Sequence, residues 1–338
     1  ANPETNAAHC CGHHAQMAGI FGAALALTVP EIAEKLGGQV VFFATPAEEY
    51  GEIEFKNQLR EQGKIRYGGG KCELIRTGAF DDIDLCLAHH IQPGDEIQVG
   101  SGTGNGFVSK VIRYLGKAAH AAGAPDKGVN ALSAASLGLQ ALGLNRETFR
   151  DEDCVRVHPI ITKGGNLVNV IPDEIVIETL VRAKTIEAFT DAAKKTDRSF
   201  QAGAVAMGAK VEITTLPGYL PTLAEQALPE LKRAAELAAP EVPVREAAGH
   251  SGGSTDVGDV QHLMPVYTFN TGGVKGGLHQ INFEVTNEEE AYIDTAKMFA
   301  LAAYGLLKEK AARSKELVKN YKPVFKDSAE YTKFMEQF

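Results

Sequence analysis

The order of segments between Phe107 and Leu216 constrains this chain more than any other feature. Residues 107–115 read as a strand, 129–144 as a helix, 155–162 and 174–182 as strands, 186–207 as a helix and 210–216 as a strand. Strand, helix, strand, strand, helix, strand is the order of a ferredoxin-like split βαβ unit, an antiparallel sheet with its helices on one face. Such a unit closes on itself, so the residues on either side of it must build a second body together. Their patterns agree: 39–44 and 83–88 read as buried strands and 15–27 and 53–62 as helices. After Tyr219, a helix at 224–239, a strand at 266–270 and a long helix at 287–308 resume the α/β alternation of an open sheet. Gly102-Thr103-Gly104-Asn105-Gly106 marks the junction. The expected organisation is therefore an α/β body from residues 1–105 and 219–310, an inserted α+β domain at 106–218, and a Lys-rich helical surface appendage at 311–338.

Composition narrows what such a chain can do. With 338 residues, 44% of them hydrophobic, it has ample material for a buried core. A net charge of −9 without a basic stripe offers nothing to neutralise phosphates, which argues against a nucleic-acid partner. No apolar run approaches the roughly 20 residues that span a bilayer. No basic-then-apolar leader opens the chain, so a cytoplasmic location without membrane association is expected. Five cysteines without regular spacing suit reduced thiols, and Cys72, Cys86 and Cys154 read as small buried hydrophobes.

Chemistry-bearing residues recur at predicted segment ends. Glu48 and Glu49, in Pro46-Ala47-Glu48-Glu49, close the apolar run Val40-Val41-Phe42-Phe43-Ala44. Adjacent side chains on a strand alternate in direction, so one acid can bind a metal while its neighbour handles protons. Upstream, Cys11 and His13 stand at the mouth of a helix, whose free N–H groups and dipole favour a thiolate able to bridge two divalent ions. Glu49 is the natural third ligand of a site that keeps a position open for water, and Glu48 is the candidate general base. His89 and His90 follow the strand Leu85-Cys86-Leu87-Ala88, and only one of them should face the metals. His279 follows a strand and the turn Gly276-Gly277. Gly249-His250-Ser251-Gly252-Gly253 matches the G-x-S-x-G nucleophile elbow, but that motif needs a strand before it and a helix directly after it. Arg245-Glu246-Ala247-Ala248 and further turn residues surround it instead, so a Gly-rich loop is the better reading. Gly102–Gly106 is not G-x-G-x-x-G and opens no helix, which argues against dinucleotide binding.

Taken together, these motifs resemble the aminoacylase and carboxypeptidase family of co-catalytic metal amidohydrolases, metallopeptidase clan MH. The similarity is strongest to the branch with auxin-conjugate, hippurate and aminobenzoyl-glutamate hydrolases, and it covers nearly the whole chain. The resemblance implies a zinc-exopeptidase-like catalytic domain with an inserted lid and dimerisation domain. It also implies two divalent ions, Zn or Mn, with Cys11 bridging, His13 and Glu49 completing one site, His90 and His279 the other, and Glu48 as base. Gly116-Lys117-Ala118-Ala119-His120-Ala121-Ala122 is similar to a lid motif whose histidine polarises the scissile carbonyl, often in the site of a partner subunit; a homodimer through the lid is implied. Asn169, in Asn169-Val170-Ile171-Pro172, and Arg182 resemble lid positions that hold the substrate's oxyanion or carboxylate. Gly253-Ser254-Thr255-Asp256-Val257-Gly258-Asp259 is similar to a loop of the aminobenzoyl-glutamate branch. The family commonly has Asp or Asn where His14 stands, and many members have His where Gln16 stands. It also normally has an α/β segment before its Cys-Gly-His motif, here residues 11–13, so the chain reads as a piece of a longer protein or as one with fewer sheet strands. The expected reaction is hydrolysis of an amide next to a free carboxylate, in N-acyl amino acids, aminobenzoyl-glutamate-like conjugates or dipeptides. Two other classes are a metal-independent serine hydrolase using Ser251 and a non-catalytic relative that binds metal or ligand without turnover.

Overall fold

The computed structural model describes Glu4 and residues 8–338, so most of the first seven residues of the expected 1–105 segment lie outside the described residues. Two sheets organise it. In the antiparallel sheet, the strand Gly106–Leu115 lies between Glu174–Ala183 and Lys210–Tyr219, registered from Gly106↔Ala183 to Leu115↔Glu174 on one side and from Phe107↔Tyr219 to Leu115↔Lys210 on the other. Helices Ala131–Asn145 and Ile186–Met207 pack on it, and Ile112, Tyr114, Ala134, Ile175, Ile177 and Phe200 fill the space between. A Cβ on Gly203 would lie 2.3 Å from the Ala134 carbonyl, so this residue lets the two helices touch backbone to backbone. Asn130 and Thr185 cap the helices by accepting from Ser133 N and Ala188 N. The expected strand at 155–162 is divided into Arg156–Val157 and Ile160–Lys163. His158-Pro159 lies between them, and proline has no N–H to give to a ladder.

The second sheet is mixed. Cys86–Ile91 runs parallel to Val266–Thr271, which is antiparallel to Ile97–Val99, which is parallel to Val244–Glu246. Strand alternation places Leu85 and Leu87 with a core of Phe269, Met298, Phe299 and Leu306 under helices His13–Leu27, Pro229–Ala238 and Thr295–Asn320. Cys86 and Ala88 face the opposite core, where Tyr67, Ile75, Val266 and Tyr331 meet Phe107, Val108 and Phe189 of the antiparallel layer. That shared core fixes one sheet against the other. Among the described residues, no helix is long and apolar enough to cross a membrane.

Several expectations fail for identifiable reasons. Residues 39–44 are not in a strand. A cavity of about 600 Å³ is lined by Gln39–Phe43 and by residues 82–87. β-rich composition favours extended backbone, but a strand needs a neighbour to accept and donate its ladder bonds. The helix expected from 224 begins only at Pro229, whose fixed φ and missing N–H suit a first helical position. The helix expected at 287–308 opens as a π-segment, Glu289–Asp294, and continues as Thr295–Asn320 with non-helical backbone from Lys308 to Ala311. The Lys-rich tail is docked rather than a surface appendage: Phe325, Tyr331 and Met335 are buried, and Val324 N and Phe325 N both donate to His262 O. Of the cysteines read as buried, Cys72 is buried while Cys86 and Cys154 are partly exposed; all five are free thiols.

Candidate metal centre

Gly12 starts the site. With φ of 81° it turns the chain from Cys11 into the helix His13–Leu27, and a Cβ there would lie 1.9 Å from Ile91 Cγ2. Only glycine fits both demands. Cys11 Sγ then lies 3.4 Å from His90 Nε2. Burial, and next the negative charge of Glu49, push the Cys11 thiol up to about 12.

Glu48 and Glu49 do not diverge as strand neighbours would. They sit in irregular backbone after Ala47, whose φ is 54°, and both reach His13: Glu48 Oε2 and Glu49 Oε1 each lie 3.7 Å from its Nε2. Glu48 Oε1 accepts from Thr255 Oγ1 at 2.7 Å, and the Glu48 carbonyl accepts from the Tyr219 hydroxyl. Glu49 Oε1 is also 3.4 Å from His279 Nε2, and its carbonyl accepts from Lys56 Nζ at 2.6 Å. His279 has φ of 62°, and its N–H donates to the Cys10 carbonyl at 2.6 Å, which ties this loop to the segment leading into Cys11.

The two adjacent histidines separate cleanly. His89 is buried between Phe269 and Phe299 with Nε2 2.8 Å from Thr271 Oγ1, and burial pushes its imidazole down to about 3. His90 turns its ring toward Cys11 and His13. Its Nδ1 lies 2.6 Å from the Ile91 carbonyl. That carbonyl can only accept, so it fixes the proton on Nδ1 and leaves the Nε2 lone pair toward Cys11. Gln16 Nε2 donates to the His89 carbonyl and steadies this strand end. His14 turns away, its ring against Phe283 and Tyr292 and its buried Nδ1 without a partner among the described residues.

Among the described residues three donor groups result, each with its ligand atoms within 4.8 Å of one another: Cys11, His13 and His90; Cys11, Glu49 and His279; His13, Glu48 and Glu49. Cys11 belongs to two of them. A thiol, imidazoles and carboxylates at this spacing fit divalent transition metals, and the shared sulfur suits two adjacent ions. The cleft around them encloses about 540 Å³ and is also lined by Tyr50, Phe107, Arg182, Tyr219 and Ser254. The Arg182 guanidinium lies 5.2 Å over the Phe107 ring, and its Nη1 donates to Ser254 Oγ at 2.7 Å.

Other expected site residues stay out of this cleft. His120 and Asn169 are neighbours: Ala121 N donates to the Asn169 carbonyl at 2.9 Å, and His120 Nδ1 accepts from Gly123 N at 2.9 Å. Both are exposed, just beyond the Leu115 end of the central antiparallel strand, whereas Phe107 and Arg182 are at its other end. A ten-residue strand separates the two ends by about 30 Å at roughly 3.3 Å per residue. Ser251 is exposed on a two-residue strand, and the next helix begins only at Val257, so the elbow does not form. His250 bonds Thr103 and Asn105. The residues missed individually are Tyr219, Ser254 and Thr255. The last two lie in the 253–259 motif, so the signal was present without an assignment of which side chain touched what.

The peptidase family M20/M25/M40 model matches residues 2–304. The chain belongs to this family. Its members are metal-dependent amidohydrolases, and that is the enzyme class of this chain. It is 28% identical to the mouse Xaa-Arg dipeptidase over 325 residues, which is 93% of this chain and 67% of the dipeptidase. It is 31% identical to the N-acetyl-L-cysteine deacetylase of Bacillus subtilis over 182 residues, 52% of this chain and 38% of the deacetylase. A Bacillus subtilis dinuclear metal-binding peptidase of the M20 family shares the fold, with a TM-score of 0.58 at 23% identity, covering 88% of this chain and 73% of that one.

Proposed function

We propose that the cleft hydrolyses an amide bond adjacent to a free carboxylate, with two divalent ions held by Cys11, His13, Glu49, His90 and His279. The observation that carries this reading is the shared placement of Cys11 in two donor groups beside Glu48, in a cleft that also contains Arg182. Bound divalent ions supply Lewis-acid polarisation of the carbonyl and activation of water near neutral pH. The mixed sulfur, nitrogen and oxygen donors favour zinc on softness, with manganese the second choice on availability.

The chain's own residues account for the rest. Glu48 takes the proton of the attacking water and returns it to the leaving nitrogen, and it is placed for this by the Thr255 hydroxyl on one carboxylate oxygen. Arg182 grips the substrate carboxylate through its planar fork, which Phe107 and Ser254 hold toward the cleft. A cleft of about 540 Å³ accommodates a dipeptide or an N-acyl amino acid. The dipeptidase and deacetylase relatives support that substrate class. Residues 106–218 act as the lid, and His120 with Asn169 serve the scissile carbonyl of a partner subunit in a homodimer. The location of the protein is cytoplasmic in this reading.

The test is Glu48→Gln, which keeps size and removes the base. Turnover of a panel of N-acyl amino acids and dipeptides should fall about 10²–10⁴-fold while metal content, measured by elemental analysis, stays at the wild-type level. Near-normal turnover in that variant would remove Glu48 from the mechanism.

A further inference from the structure

Three consecutive residues in the turn before the helix Val257–Gln261 each hold a different group. Ser254 Oγ accepts from Arg182 Nη1 at 2.7 Å, and Thr255 Oγ1 donates to Glu48 Oε1 at 2.7 Å. Asp256, fully buried, accepts from Lys71 N at 2.9 Å and from Lys71 Nζ at 2.6 Å. One helical turn later, Asp259 accepts from Leu220 N and from the Tyr331 hydroxyl. A Cβ on Gly258 would lie 2.3 Å from the Leu220 carbonyl, so the helix start is also pressed against backbone. The turn is therefore anchored by buried polar bonds on its C-terminal side, and on the other presents Ser254 to the cleft and Thr255 to Glu48.

We propose that Thr255 is a positioning residue for Glu48, an inference that rests on the reading of Glu48 as the base. The last torsion of a glutamate side chain is broad and roughly two-fold, so its carboxylate does not orient itself. Tyr219 holds the Glu48 backbone carbonyl and leaves the side chain free. Val257 N donates to Thr255 Oγ1 at 3.5 Å, which occupies a hydroxyl lone pair and directs the hydroxyl proton to Glu48 Oε1. Oε2, 3.7 Å from His13 Nε2, is then the oxygen that faces the donor cluster and takes the proton. Because Ser254 precedes Thr255 in the same anchored turn, the base and the arginine that reads the carboxylate are held in one register.

Thr255→Val removes the hydroxyl and keeps the shape. It should lower kcat about 10–100-fold, the scale on which small misplacements of reacting groups act, with KM and metal content within about twofold of wild type. Thr255→Ser should restore kcat, and a crystal structure of the Val variant should show the Glu48 carboxylate rotated. Wild-type kcat in the folded Val variant would overturn the proposal. So would a further loss when Thr255→Val is added to Glu48→Gln, because the threonine would then act on something other than that carboxylate. Should the Val variant fail to fold, Thr255→Ala carries the same test. Normal turnover in Glu48→Gln removes the base reading itself, whereas an inactive Glu48→Gln beside a fully active Thr255→Val removes only the positioning role.

Discussion

The antiparallel sheet pairs ten-residue strands over an aliphatic and aromatic core, while the mixed sheet pairs strands of three to six residues and is surrounded by buried ionisable groups. Around the first, Ile112, Tyr114, Ile175, Ile177 and Phe200 are fully buried, and the buried Lys110 is paired with Asp197 at 2.8 Å. Around the second lie His89, Asp256, Asp259 and His262, together with Glu225, whose Oε2 is buried without a hydrogen-bond partner among the described residues. Burying ionisable groups costs stability unless each finds its partner. The molecule therefore gathers most of its buried ionisable groups around the mixed sheet, and builds the layer carrying Arg182 and His120 as a largely apolar frame.

The largest effect should come from the frame. Phe200→Ala empties a position between Ile186–Met207 and the antiparallel sheet, and should cost about 3–5 kcal/mol in urea unfolding. Below its melting temperature, metal content should match wild type; loss of metal there would show that the two regions are not separable.

Next in size is the far end of the same frame. If His120 acts on the scissile carbonyl of a partner subunit, His120→Ala should lower kcat about 10²–10³-fold without changing metal content. Mixing it with Glu48→Gln protein should then return activity, because one hybrid site regains both groups. No recovery despite demonstrated subunit exchange would remove the cross-subunit role.

These two regions were not equally legible from residues alone. The 107–216 order of strands and helices is local and periodic, and each ladder there is completed within the same stretch, so pattern and structure coincide closely. Residues 39–44 carry equally good strand vocabulary, yet pairing depends on what lies beside them, which no local pattern records. The tail was misread because its lysines hide the apolar set Phe325, Tyr331, Phe334 and Met335 that packs on helix Gly70–Arg76 and its surroundings. Cys11, His13, Glu49 and His279 stood out by residue type and position at segment ends, only the family resemblance chose His90 over His89, and the structure brings all five together. Thr255 and Ser254 could not be assigned in the same way, since hydroxyls occur everywhere and only a three-dimensional turn shows which carboxylate or guanidinium each one meets.

A smaller effect separates two neighbours on one strand. His90→Ala should lower the metal stoichiometry, because its Nε2 faces Cys11, with little change in stability of the metal-free protein. His89→Ala should do the reverse, sparing metal and costing at least about 0.5–1.5 kcal/mol for the loss of a buried hydrogen bond, here that to Thr271 Oγ1, which keeps Thr295 Oγ1 as a partner. Equal metal loss in both variants would mean that the strand's alternation does not divide structural from ligand roles.

The last effect, read as a slope with pH, tests whether buried charge is the weakness of the mixed-sheet region. Burial raises the Glu225 carboxyl from 4.5 to about 8. Between those values the folded state holds a proton that the unfolded chain has released. Stability therefore falls as pH rises through this window, by up to about 1.4 kcal/mol per unit, and levels off above it. Glu225→Gln replaces the carboxyl with a neutral group of the same shape and should remove that slope. In urea titrations with chelator present, its midpoint should match wild type near pH 5 and exceed it near pH 8. A gain of equal size at both pH values would point to better packing instead of relief from ionisation. No gain at pH 8 would show that Glu225 ionises in the folded state at little cost, and the contrast in buried charge between the two sheets would then rest on His89, Asp256, Asp259 and His262 alone.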